Sequence, residues 1–108
     1  MTPTPPSSEQ PRSVLRRVPE VAFTALVCLR HLPFGVGRDL VAGILLGSAE
    51  KKIVSKRLDR NPAYGRVRER RGFVRGVLDD LVYEGYIDVK GSAERPTLTL
   101  SRRGEEVS

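Results

Sequence analysis

The stretch FGVGRDLVAGILLGSAEKK, residues 34–52, constrains the fold more than any other part of the chain. Gly35 and Gly37 permit positive φ and close backbone approach, so Phe34–Gly37 reads as a tight turn. Arg38 or Asp39 then opens a helix with Leu40, Val41, Ile44 and Leu45 on its buried face. Gly47 is a natural helix stop. Ser48 and the lysines Lys51 and Lys52 follow at once. A short rigid helix that aims such a loop outward is suited to holding phosphate. A nucleotide-binding loop is set aside, because there is no GxGxxG, no GxxxxGK[ST] and no preceding strand.

Charge supports an acidic partner. The formal net charge is +6 over 108 residues. The charge is clustered: Lys51, Lys52, Lys56, Arg57, Arg60, Arg66, Arg68, Arg70 and Arg71 face only Asp59 and Glu69 between residues 51 and 71. The rest of the chain is close to neutral. A basic run is often a solvated face, but this one is concentrated, broken by turns and carries Tyr64, which favours nucleic acid. One cysteine, Cys28, allows neither an internal disulfide nor a Cys-based zinc site. It lies in the apolar run VAFTALVCL and reads as a small buried hydrophobe. No apolar stretch approaches the roughly 20 residues of a membrane span. The N-terminus lacks the apolar core of a secretory signal, so an intracellular, cytoplasmic protein is expected, nucleoid-associated if bacterial.

In chain order, residues 1–13 hold four of the eight prolines and read as a disordered Pro/Ser-rich tail. Residues 14–108 read as one folded domain. A first helix is expected from Pro19 to about Leu32, with Ala22, Ala25, Leu26 and Leu29 at helical spacing and Phe23 and Val27 beside them. His31, the single histidine, falls at its last turn. After the Gly47 stop, a helical turn is expected around 49–58, and Asn61-Pro62 and Tyr64-Gly65 mark turns. Residues 72–85 form the clearest helix, with adjoining stripes of Phe73, Val77, Leu81 and Val74, Leu78, Val82. Arg75 lies off the stripes, where it can face a ligand. Residues 86–90 and 97–100 alternate as strands, joined by a tip at Gly91–Arg95. Ser101 to Gly104 lead to a short polar end. The expected fold class is α+β, mainly α: a winged helix-turn-helix, with a three-helix core and a β-hairpin wing.

The order and spacing of FGVGRDLVAGILLGS, Tyr64-Gly65 with Arg66 and Arg68, LVYEGYI and LTLSRRG resemble the RQC domain, the winged-helix module near the C-terminus of RecQ-family DNA helicases. The resemblance spans residues 20–107. It implies that Ser48, Lys51 and Lys52 grip duplex phosphates and that Arg75, early in the last core helix, contacts backbone. With the basic residues around them, the expected DNA-binding set is Arg38, Ser48, Lys51, Lys52, Lys56, Arg57, Arg66, Arg68, Arg75, Lys90 and Arg95.

Departures from the family pattern matter as much. No helicase motor and no Cys-ligated zinc module are present in these residues, so a stand-alone domain without ATP hydrolysis or cofactor is expected. The wing tip Gly91–Arg95 has no aromatic wedge, so strand separation by the wing is not expected, while Lys90 and Arg95 remain available to phosphate. Asp79 and Asp80 stand where the family often has a basic or amide residue; they either repel DNA or make internal salt bridges.

The leading expectation is a non-catalytic DNA-binding domain for duplex ends, forks or branched DNA, in repair, recombination or replication. It would work as a monomer, beside a helicase or another repair protein. One alternative is a winged-helix transcription regulator, which predicts a dimer on two half-sites; the chain shows no long dimerisation helix. Another is a protein-interaction module with an acidic partner. An enzyme fits least, because no nucleophile–base or metal constellation is visible.

Overall fold

The computed structural model describes residues 13–108, so the expected tail at 1–12 lies outside the described residues. Six helices and one hairpin are present among them: α1 Val14–Arg17, α2 Pro19–Arg30, α3 Arg38–Leu46, α4 Lys51–Ser55, α5 Arg71–Tyr83, β1 Ile87–Gly91, β2 Pro96–Leu100 and α6 Arg102–Val107. A single 3₁₀ turn, Leu58–Arg60, follows α4. The winged helix-turn-helix is as the sequence leads one to expect. Helices α2, α3 and α5 pack on one another, and the hairpin β1–β2 is the wing.

The core is aliphatic. Leu26, Ile44, Leu45, Ile53, Leu78, Leu81, Ile87 and Leu98 lose nearly all contact with water. Burying a side chain of this size contributes about 1.5–3 kcal/mol. Cys28 belongs to the same core, and burial pushes its thiol up to about 12. It therefore stays a neutral thiol and acts as a hydrophobe.

Local sequence explains the element ends. Pro19 opens α2 with Glu20 in its first turn. The helix ends at Arg30, and His31 is its C-cap, with Nδ1 beside the Val27 carbonyl. The wing is antiparallel, with Val89 opposite Leu98 and Gly91 opposite Pro96, which leaves Ser92–Arg95 as its loop. The Phe34–Gly37 turn runs alongside, and Val36 bridges to Leu98 like a short third strand. A Cβ on Gly35 would come within 2.9 Å of Thr97 Oγ1, which accounts for glycine there.

Three expectations need correction. Ser13 does not belong to the tail. It is the N-cap of α1, its hydroxyl donates to Glu84 at 2.7 Å, and the Val14 N–H donates to the same carboxylate at 2.9 Å. Phe73 is not core; it is 42% exposed, while Val74, Val77, Leu78 and Leu81 are buried. The short polar end after Ser101, expected without an element of its own, is a helix. The Ser101 hydroxyl accepts from the Gly104 N–H and donates to the Gly85 carbonyl, capping α6 and tying it to the end of α5.

Gly104 is buried in that joint, and a Cβ there would overlap the Tyr86 carbonyl. Gly104→Ala should therefore undock α6 at a cost of about 1–2 kcal/mol, the worth of the cap and its hydrogen bonds. Hydrogen exchange should rise at the Glu105 and Ser108 amides while the Leu78 amide stays protected. Unchanged protection throughout would show that the joint absorbs the methyl.

Candidate nucleic-acid interface

The loop after α3 is built by its helix end. Gly47 adopts the left-handed conformation at φ 75°. The Ser48 N–H donates to the Gly43 carbonyl at 2.8 Å and the Gly47 N–H to Ile44 at 3.1 Å, a Schellman closure. The Ser48 hydroxyl then accepts from the Glu50 N–H, and Glu50 is the residue at which α4 begins. Lys51 and Lys52 are thus held in the first turn of a helix, both exposed.

A second segment locks onto this loop. The Tyr64 hydroxyl lies 3.0 Å from the Gly47 carbonyl oxygen and 2.9 Å from that of Ser48, and shares its proton between them. The Gly65 N–H donates to Ile44 and the Val67 N–H to Leu45, each at 2.9 Å, which satisfies carbonyls at the end of α3. A Cβ on Gly47 would sit 3.0 Å from the Gly65 Cα, so this close approach of the two backbones needs glycine at 47. Arg66 and Arg68 flank the buried Val67 and are exposed. The clamp therefore fixes the segment of Arg66 and Arg68 against the end of α3, from which the loop of Ser48, Lys51 and Lys52 departs. Among the described residues none of these four cations has an ion-pair partner.

The other expected residues are placed differently. Arg38 and Arg75 are not free. Arg38 Nε donates to Asp79 at 2.6 Å, and Arg75 donates to Asp39 at 2.9 Å, so the two arginines cross-link α3 and α5. Asp80 pairs with Arg17 at 2.7 Å. Asp79 and Asp80 thus make internal salt bridges, the second of the two readings open from sequence. These pairs are half exposed and individually worth little, about 0–1 kcal/mol. Lys56 closes α4 and lies 5.5 Å over the Phe34 ring. Arg57 follows at φ 59°, the one positive-φ residue other than glycine among the described residues, with its side chain exposed. Lys90 and Arg95 are exposed on the wing, carried separately from the clamp.

Two residues were missed from sequence. Arg71 reaches Glu50 at 3.5 Å and the Asp39 carbonyl at 3.1 Å, bracing the lysine loop from the first turn of α5. Arg70, the N-cap of α5, is exposed beside Arg68. Both lay in the basic run, but nothing local distinguished a brace from a solvated charge. Among the described residues no group of acidic, His and Cys side chains is placed to hold a metal ion, and no helix is long and apolar enough to cross a membrane.

Three packed helices, a hairpin wing and a basic loop at a helix end define a winged-helix module of the DNA-binding class. The model of the RQC domain family matches residues 16–108, and the chain belongs to that family. The family is non-catalytic and binds nucleic acid through this module. No curated protein matches the chain.

Proposed function

We propose that this protein is a non-catalytic DNA-binding domain that grips duplex ends, forks or branched DNA by their phosphates. It serves repair, recombination or replication as a monomer in the cytoplasm, on the nucleoid if its host is bacterial, beside a helicase or another repair protein. The observation that supports the reading is the clamp, which fixes the segment of exposed Arg66 and Arg68 against the loop that carries Ser48 and the exposed Lys51 and Lys52. Phosphate contacts of this kind fix position and carry no sequence. The outward side of α5 favours the same view over a transcription regulator. Gly72 and Gly76 have no side chain to offer a base edge, and Arg75 and Asp79 are already paired.

Fluorescence anisotropy of labelled forked duplex, blunt duplex and single strand over a salt series tests this. Three to five phosphates neutralised should give a log–log slope of about −2.7 to −4.5, at about −0.9 per phosphate. Forks or ends should bind best. Absence of binding even at low salt would remove the reading and direct attention to an acidic protein partner.

A further inference from the structure

We infer that Arg66, Arg68 and Arg70, together with the Phe73 ring, form a track for single-stranded DNA, with Phe73 stacking on an unpaired base. The inference rests on the DNA-binding reading above and extends it from the clamp, whose Arg66 and Arg68 it shares, to Phe73. Arg66 and Arg68 point outward on either side of buried Val67, and Arg70 follows two residues later, also exposed. Side chains two residues apart stand about 6.6 Å apart where a backbone is extended, a spacing suited to successive charges on a strand. The chain bends at Glu69, which lines the same groove as Arg68 and Arg70, so the row sets three positive charges against one negative. Arg68 and Arg70 border an open groove whose other wall is Gly47, Tyr64 and Gly65, so the row begins against the clamp.

Phe73 lies one helical turn beyond Arg70, on the same side of α5. It is a large apolar ring left 42% exposed. Its surroundings are bare: a Cβ built on Gly72 or on Gly76 meets nothing within 4 Å. An accessible ring at the end of an unpaired arginine row has the two elements of a single-strand site, a charged path for the backbone and a platform for a base. The partner is therefore the unpaired strand that continues from a duplex, not a second duplex, whose bases are already stacked.

Anisotropy should compare blunt duplex with the same duplex carrying a short single-stranded overhang, with 2-aminopurine in the overhang reporting stacking. The parent should bind the overhang form more tightly and quench the probe. Phe73→Ala should lose about five- to 150-fold on the overhang form and the quenching, and little on the blunt form. Phe73→Trp should restore both. Tyr83→Ala removes an exposed ring ten residues further along α5 and should change neither. Equal binding of overhang and blunt forms by the parent, or overhang binding untouched by Phe73→Ala, would overturn the track while leaving duplex binding in place. Failure of the parent to bind any DNA would overturn both readings.

Discussion

Gly47→Ala should lower the stability of the domain by about 2–4 kcal/mol and weaken its grip on DNA at the same time. Two costs add at this position. The residue sits at φ 75°, where a Cβ costs about 1–2 kcal/mol. The new Cβ also meets the Gly65 Cα at 3.0 Å, and that neighbour is backbone that cannot rotate away. Gly65 is itself at φ 69° and is fixed by its hydrogen bond to Ile44, so relief means opening the clamp. Opening it releases the Tyr64 hydroxyl from the Gly47 and Ser48 carbonyls, a shared hydrogen bond worth about 1 kcal/mol. For a domain of this size the melting temperature should fall by roughly 10–25 °C. Gly76→Ala is the matching control. It lies in open space inside a helix and should raise stability by up to about 1 kcal/mol. Equal melting temperatures for the Gly47 variant and the parent would mean that the loop is not held as described.

The Gly47 closure was legible because its causes are local. A helix, a glycine and a polar residue in succession specify a Schellman end almost independently of the rest of the chain. The same holds for the hairpin, whose alternation is written in adjacent residues. What the sequence left open depends on partners far away in the chain. Arg38 meets Asp79 across 41 positions, and Ser13 meets Glu84 across 71. No local signal says which faces of two helices will meet, so Arg38 and Arg75 read as free cations and Ser13 as tail. Phe73 shows the same limit within a single helix. It continues the apolar stripe at ideal spacing, yet a three-helix core covers only part of the helix circumference. Val74 and Val77 fall inside the covered sector, and Phe73 falls at its edge. The polar composition of the C-terminal segment concealed α6, although Ser101 offers an N-cap to anyone reading for one.

The pairing of Arg38 and Arg75 also decides where the largest binding effect should appear. Their charges are shared with Asp79 and Asp39, so a phosphate gains less from them than from an unpaired cation. Lys51 and Lys52 have no such competitor among the described residues, and their loop is held in place before DNA arrives. The double variant Lys51→Ala, Lys52→Ala should reduce the magnitude of the salt slope by about 1.8, two contacts at 0.9 each. At about 0.1 M salt the same term predicts roughly a 60-fold loss of affinity. The loss should be uniform over blunt, forked and sequence-varied duplexes, because phosphate contacts do not distinguish bases. Stability should change little, since both side chains are exposed and unpaired. By the same logic Arg38→Ala, Arg75→Ala should move the slope by much less, because each removal also frees an aspartate that repels the duplex. If the two double variants weaken binding to the same degree and with the same change in slope, the ion pairs between α3 and α5 must open on DNA. The binding surface would then extend from the lysine loop across the first half of α5.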